Sequence, residues 1–138
     1  MTEHNSASDR FDEFKFNYAE AYLKQGIFYY HQQKYNQALD EFGKAINIKL
    51  NCAKAFFYRG VVYLRQEKYD LAKAEYDRAI EIDSNYAEAY VNRGVVNHKQ
   101  KKYSSAIADY NQAIEINPNY TEAYSGFQID EVQIWTHN

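Results

Sequence analysis

Apolar residues recur along most of the chain at intervals of three and four, which place side chains on one face of an α-helix. In the stretch 85–118 two such patterns follow one another, separated by polar residues around Lys101. Neither pattern can bury its apolar face alone, because an amphipathic helix needs a second surface to pack against. The pattern therefore predicts pairs of helices that pack on each other.

This unit repeats with a period of 34 residues. The segment Asn85–Tyr90 has counterparts at Asn17–Tyr22, Asn51–Phe56 and Asn119–Tyr124, and a Lys-Tyr pair opens the second helix of each unit at positions 34, 68 and 102. Periods between 20 and 50 residues are typical of repeat arrays. We expect the first (A) helices at about 19–32, 53–66 and 87–100, and the second (B) helices at about 35–49, 69–83 and 103–117.

The units resemble the tetratricopeptide repeat (TPR), whose pattern is an aromatic residue, Leu-Gly, Tyr, and later Ala and an aromatic residue. The matching residues are Tyr22, Gly26, Tyr29, Ala38 and Phe42; then Phe56, Gly60, Tyr63, Ala72 and Tyr76; then Tyr90, Gly94, Ala106 and Tyr110. Gln25, Arg59 and Arg93 replace the usual leucine, and Asn97 replaces a tyrosine. The resemblance implies an all-α, right-handed superhelical solenoid of antiparallel helix pairs.

Small residues at fixed places explain the pattern physically. The glycines of the A helices and the alanines of the B helices are expected to face each other and to permit close helix packing. A glycine inside a helix costs about 1 kcal/mol relative to alanine, so close approach must offset that cost. The aromatic residues are expected to fill the space that the small residues leave.

The ends of the chain depart from the repeat. We expect a disordered tail at 1–8, an N-terminal cap at 9–18 formed as a short helix behind Ser8 or Asp9, and repeats at 19–52, 53–86 and 87–120. A C-terminal capping helix and tail are expected at 121–138, where Gln128 replaces the glycine of a fourth unit and Gly126 comes two residues early. Phe11, Phe14 and Phe16 fall where the apolar residues at the end of a B helix fall one period later.

Composition narrows the possible functions. The 138 residues carry a formal net charge of −3, which disfavours a nucleic-acid partner. Cys52 is the only cysteine, and the histidines lack metal-ligand spacing, so neither an intramolecular disulfide nor a metal site is expected. No phosphate-binding loop, cofactor motif or catalytic group of residues is visible, which indicates that the protein is not an enzyme. No apolar run is long enough to span a membrane, and the first thirty residues lack the layout of a signal peptide, which favours a cytoplasmic protein.

The resemblance implies a concave groove lined by the A helices, and therefore a protein–protein interaction scaffold that binds a peptide or helix. The A-helix residues outside the core are predicted to line it: Leu23, Lys24, Ile27, Tyr30 and His31; Phe57, Tyr58, Val61, Leu64 and Arg65; Val91, Asn92, Val95, His98 and Lys99. Two of these positions are apolar in every repeat, which is unusual for a solvated face. Packing against neighbouring A helices is the alternative explanation.

Two further expectations concern partners. Some TPR proteins grip acidic chaperone tails with a Lys/Asn/Asn/Lys/Arg carboxylate clamp. The corresponding residues here are Leu23, Ile27, Tyr58, Glu88 and Asn92, or one repeat later Phe57, Val61, Asn92, Glu122 and Gly126. These residues do not match, so no clamp is expected. The alternative to peptide binding is a self-assembling module, in which the uncapped ends pair as dimers or stacks.

Overall fold

The computed structural model describes residues 6–121 and 123–126, and these residues are helical apart from short turns. Six helices follow one another: α1 (Ala7–His31), α2 (Tyr35–Ile48), α3 (Ala53–Arg65), α4 (Tyr69–Ile82), α5 (Ala87–Lys99) and α6 (Tyr103–Ile116). Residues 121 and 123–126 are also helical. Except at the start of α1, the six helices begin and end close to the positions predicted from the sequence.

The helices form three A/B pairs, α1/α2, α3/α4 and α5/α6, and successive pairs stack through α2 on α3 and α4 on α5. The A helices also contact their A-helix neighbours along the stack, α1 with α3 and α3 with α5. This arrangement confirms the predicted fold class, an all-α solenoid of helix pairs. It leaves the A helices side by side on the concave face.

The turns within the pairs share one geometry. Gln33, Glu67 and Lys101 adopt left-handed backbone angles, with φ of 61°, 59° and 62°. At the first turn the Lys34 amide donates to the Tyr29 carbonyl over 2.9 Å, and the same bond recurs in the other two pairs. Such bonds satisfy carbonyl groups that a helix end leaves without partners. The repeated turn therefore gives each pair the same antiparallel orientation.

Aromatic rings lie directly over the glycines of the A helices. A Cβ atom added at Gly60 would lie 2.7 Å from Cε1 of Tyr76, and one at Gly94 would lie 2.5 Å from Cε1 of Tyr110; Gly26 faces Phe42 in the same way. The side chains of Phe42 and Tyr76 are fully buried. The predicted close approach is therefore present, and the glycine of each A helix makes room for the aromatic residue of its B helix.

The N-terminal cap differs from the prediction, because it is not a separate short helix. α1 runs without a break for 25 residues from Ala7 to His31. Ser6 caps it: the Asp9 amide donates to the Ser6 hydroxyl over 3.1 Å, and the Ser6 amide donates to the Asp9 carboxylate over 3.3 Å. This capping box satisfies free amides at the helix start, so the helix begins before Ser8 and Asp9. Residues 6–8 therefore belong to an ordered helix start, and the rest of the predicted tail lies outside the described residues.

The described part of the C-terminal region packs on the third pair. Ala123 is fully buried in a cluster with Tyr110, and a Cβ atom at Gly126 would lie 2.6 Å from Cζ of Tyr110. Gly126 lies one repeat after Asn92 and two repeats after Tyr58. Asn92 contacts Tyr76, and Tyr58 contacts Phe42, in each case an aromatic residue of the preceding B helix. A glycine is needed there because the Tyr110 ring fills the space. The remainder of the predicted capping helix and tail, 127–138, lies outside the described residues.

Candidate functional site on the concave face

One set of predicted groove residues forms the floor of the concave face. Leu23, Phe57 and Val91 occupy equivalent places in α1, α3 and α5, and are only 3%, 9% and 2% exposed. The Phe57 ring stacks on Tyr86 with ring centroids 4.9 Å apart and also contacts Tyr76 at 5.8 Å. For this set, burial in the core accounts for the apolar side chains. They shape the surface from beneath and expose little area to a ligand.

A second set remains partly accessible. Ile27, Val61 and Val95 lie one helical turn after the floor residues and are half-buried in all three A helices, as is Leu64 of α3. Core positions elsewhere in these helices, such as Val62, are fully buried. The structure thus brings a row of apolar side chains to the same face of three adjacent helices, with part of each side chain open to solvent.

Two predicted groove residues are tied to the interfaces between repeats. The Tyr58 ring stacks on Phe42 with centroids 6.0 Å apart, and the Asn92 side-chain amide donates to the Tyr76 hydroxyl over 3.3 Å. Burial raises the pKa of Tyr76, and the hydrogen bond from Asn92 opposes that rise only in part. Tyr58 and Asn92 are both half-buried, so each has a packing role and an accessible part.

A polar concavity lies at the C-terminal end of the A helices. It has a volume of about 240 Å³ and is lined by Tyr30, His31, Gln33, Tyr35 and Arg65. The Arg65 Nε group donates to the Tyr30 hydroxyl over 3.1 Å. This hydrogen bond is the main reason that the pKa of Arg65 is raised. The exposed guanidinium of Arg65, with two tyrosine rings beside it, provides donors for an acidic group.

The remaining predicted groove residues are divided between exposed and half-buried positions. Lys24, His31 and Lys99 are exposed, whereas His98 is half-buried with its ring 5.5 Å from that of Tyr103. The predicted basic row of His31, Arg65 and Lys99 is therefore at the surface. Of these three residues, His31 and Arg65 line the polar concavity and Lys99 does not.

The residues that depart from the TPR pattern form a polar network that was not predicted from the sequence. Arg93 forms an ion pair with Asp109 at 2.7 Å and another with Asp77 at 2.9 Å. Asn97 donates to Asp109 over 2.9 Å and accepts from Lys73 over 3.0 Å. Burial alone would lower the pKa of Arg93, but the hydrogen bonds and charges of the two aspartates outweigh it and raise that pKa. The network joins the second and third repeats.

A signal for this network was present in the spacing. Arg59 and Glu75, like Arg93 and Asp109, are 16 residues apart and form an ion pair inside one helix pair. The first repeat has Gln25 and Glu41 at the same places. In these two repeats an arginine replaces an apolar residue, and an acidic residue follows 16 positions later in the sequence. This combination indicates a buried ion pair, because a lone charge is costly inside a protein.

Within 6–121 and 123–126, no three His, Cys, Asp or Glu side chains come together as metal ligands. None of the helices in the same part of the chain combines the length and the hydropathy that crossing a membrane requires.

Family models for the tetratricopeptide repeat match three segments, 20–48, 63–101 and 87–120. Together they cover most of the three helix pairs. The chain belongs to the tetratricopeptide repeat family. No curated protein sequence matches this TPR chain significantly.

Solved TPR domains have the same fold. The first TPR of Spaghetti (RPAP3), bound to the HSP90 peptide SRMEEVD, superposes with a TM-score of 0.83 at 24% identity, covering 86% of this chain and 94% of that one. The second TPR domain of human RPAP3, in complex with the HSP70 peptide SGPTIEEVD, gives 0.80 at 21% identity, covering 85% and 98%. The Sgt2 TPR domain from Aspergillus fumigatus gives 0.82 at 19% identity, covering 87% and 81%. These likenesses show the fold.

Proposed function

We propose that this TPR protein is a non-catalytic interaction scaffold that binds a peptide or helix of a partner protein on the concave face. The observation that carries the proposal is the row of Ile27, Val61 and Val95, which remains partly open on three adjacent helices. A row of apolar side chains repeated in this way is typical of a binding face rather than of a solvated one. Three stacked pairs give a groove about 20–30 Å long, enough for roughly six to nine extended residues.

The polar concavity indicates which charged group the ligand carries. Arg65 and the neighbouring tyrosines lie about one helical turn beyond Ile27 and Val61, beside the apolar row, so we infer that the ligand combines apolar side chains with an acidic group. Charged groups at the edge of an interface contribute mainly to specificity and to the rate of association. The solved TPR neighbours that hold peptides support this general mode, since both named peptides contain acidic residues.

We also propose that the ligand is not held by a carboxylate clamp. Leu23 is buried where the clamp has its first lysine, and Ile27 and Tyr58 are half-buried at the next two places. Glu88 is exposed where the clamp has its second lysine, and its charge would repel a terminal carboxylate. The chain thus shares a fold with the chaperone-tail binders but lacks the cations for their ligand.

The proposal is tested by capture from a cell lysate with three forms of the protein. The groove variant is Val61→Asp/Val95→Asp, which places charges on half-buried groove residues and leaves the buried floor intact. Leu71→Asp is the matched control, because Leu71 of α4 is 51% exposed and lies on a B helix. We expect a partner that the wild type and the control retain and the groove variant loses. Synthetic peptides that tile this partner should then contain one that binds with the same ranking.

Equal retention by all three forms would contradict the proposal. Circular dichroism of each variant shows that its helices are intact, so that lost binding is not mistaken for unfolding. Phe57→Ala is unsuitable for this purpose because Phe57 is 9% exposed and packs on Tyr86, so truncation would report on the core.

A further inference from the structure

A second apolar surface runs along the outer side of α1. Its residues repeat at alternating intervals of three and four, the heptad spacing of a helix-pairing seam. We call it the α1 seam: Phe11, Phe14, Tyr18, Ala21, Gln25 and Phe28. Phe11, Phe14, Tyr18 and Phe28 are 57%, 55%, 47% and 56% exposed, which are high values for large apolar side chains. Gln25 is the one polar residue of the seam. Single exposed apolar residues are common, but four large ones on one face of a helix are not.

Comparison with the other A helices shows what kind of surface this is. Ala21 and Phe28 occupy the places of Ala55 and Val62 in α3 and of Ala89 and Val96 in α5. Those four residues are all fully buried, where α2 packs on α3 and α4 packs on α5. Among the described helices, α1 packs only on α2 and α3. The α1 seam is therefore a stacking face, and no described helix covers it.

The N-terminal half of the α1 seam borders an open groove. A cavity of about 330 Å³ is lined there by Phe11, Phe14, Lys15, Tyr18, Asn47 and Ile48. The rings of Phe14 and Tyr18 lie 4.3 Å apart between centroids, and Lys15 Nζ lies 4.7 Å above the Phe11 ring. The end of α2 thus forms one wall of the groove, and α1 forms its floor.

Basic and acidic residues of α1 occupy different positions relative to the seam. If Phe11 and Phe14 are heptad positions a and d, then Arg10, Lys15 and Lys24 fall at the flanking positions e and g. The acidic residues all fall at b, c and f, away from the seam: Asp9, Asp12, Glu13 and Glu20. Flanking positions face the partner helix and determine which partner pairs. The α1 seam therefore has a basic border.

We propose that the α1 seam binds an amphipathic helix of a partner protein whose apolar stripe is bordered by acidic residues. From Phe11 to Phe28 the seam is about 25 Å long, or nearly five helical turns, which suits a helix better than a short peptide. A second copy of this chain that paired through its own α1 seam would bring the same basic border and no opposing acid. Apart from Lys24, which the sequence analysis also placed at the groove, this site shares no residue with the concave groove, and it does not depend on the function proposed there.

The test uses two designed helices of three heptads labelled with fluorescein. Both have Leu at a and d; the acidic helix has Glu at e and g, and the basic helix has Lys there. We expect the acidic helix to bind the wild-type protein at least tenfold more tightly than the basic one, as measured by fluorescence anisotropy. Its affinity should fall as the salt concentration rises, because the border charges are exposed.

Variants of the protein test whether the designed helices bind at the α1 seam. Lys15→Glu/Lys24→Glu should weaken binding of the acidic helix at least tenfold and strengthen binding of the basic one. Lys54→Glu/Lys101→Glu is the matched control, with the same change in charge at exposed positions on α3 and before α6, and should leave both affinities unchanged. Phe14→Asp should abolish binding of both helices without unfolding the protein, because Phe14 is 55% exposed.

Four results would overturn the proposal. Equal binding of the two designed helices, or no effect of the Lys15→Glu/Lys24→Glu change, would show that the basic border does not select the partner. No binding of either helix would show that the seam is not a helix-docking face. Sedimentation equilibrium that finds a dimer, converted to a monomer by Phe14→Asp, would assign the seam to a second copy of the chain. A monomer at the same concentration supports the proposal.

Discussion

Replacing Gly60 by alanine should destabilise the protein, although the same change in most helices is stabilising. Alanine is favoured over glycine inside a helix by about 1 kcal/mol. At Gly60, however, the new Cβ atom would lie 2.7 Å from Cε1 of Tyr76, about 0.7 Å or more inside ordinary contact. The Tyr76 ring is fully buried, with Phe57 and Asn92 against it, so it has little room to move.

The expected change in the free energy of unfolding is the difference between these opposing effects. Forcing an extra carbon into a packed core costs about 1–3 kcal/mol, and the helix propensity of alanine offsets about 1 kcal/mol, so Gly60→Ala is expected to lose up to about 2 kcal/mol. Gly43 provides the control, since it lies within α2 and a Cβ atom there would meet nothing within 4 Å. Gly43→Ala should therefore stabilise the protein by up to about 1 kcal/mol.

Urea unfolding followed by circular dichroism at 222 nm measures both changes as shifts of the transition midpoint. The midpoint should move down for Gly60→Ala and up for Gly43→Ala. A stabilised Gly60→Ala protein would refute the reasoning, because it would mean that the ring yields easily and that close packing does not explain the glycine. Loss of stability in both variants would instead remove Gly43 as a valid control.

Three other predictions concern the buried polar groups and the ligand. Arg93→Leu restores the usual TPR residue but removes the cation that pairs with Asp109, whose side chain is only 8% exposed and would keep the hydrogen bond from Asn97. A loss of about 2–4 kcal/mol is expected, and a shift to higher stability would contradict the ion-pair account. Burial raises the pKa values of Tyr76 and Tyr86 above the ordinary value of about 10, so the contribution of these two residues to stability should be constant below that value and fall as the pH rises beyond it. The fall should be shallower in Tyr76→Phe, and chemical denaturation between pH 8 and about 11.5 measures it. The peptide SRMEEVD should show no binding in calorimetry at concentrations up to about 1 mM, because Glu88 occupies a clamp position; tight binding would contradict this.

The helix pairs were predictable because the residues that determine them lie close together in the sequence and recur in every repeat. Each A helix carries its own apolar face and its own glycine, and the period of 34 residues supplies the same pattern three times. The turns at Gln33, Glu67 and Lys101 follow the same period, although none of these residues is the glycine that favours a left-handed backbone.

Features that depend on contacts between distant residues were not predictable in the same way. Leu23, Phe57 and Val91 look like surface residues in the helical pattern, but they are buried in the core, where Phe57 packs on Tyr76 of α4 and on Tyr86. The start of α1 was misplaced because the repeat alignment suggested the end of a B helix, whereas the capping box at Ser6 begins a continuous helix. In both cases the sequence specifies the helix face, and the packing of neighbouring elements decides what that face contacts.

The central claim is that a partner occupies the concave face of the A helices. It is tested most directly by titrating the captured partner peptide into isotopically labelled protein and following each backbone amide by NMR. Our account predicts that the shifts concentrate at Ile27, Val61, Leu64, Arg65 and Val95, while Leu71 and the other exposed residues of the B helices remain unchanged. Shifts confined to the B helices, or to the α1 seam, would contradict it.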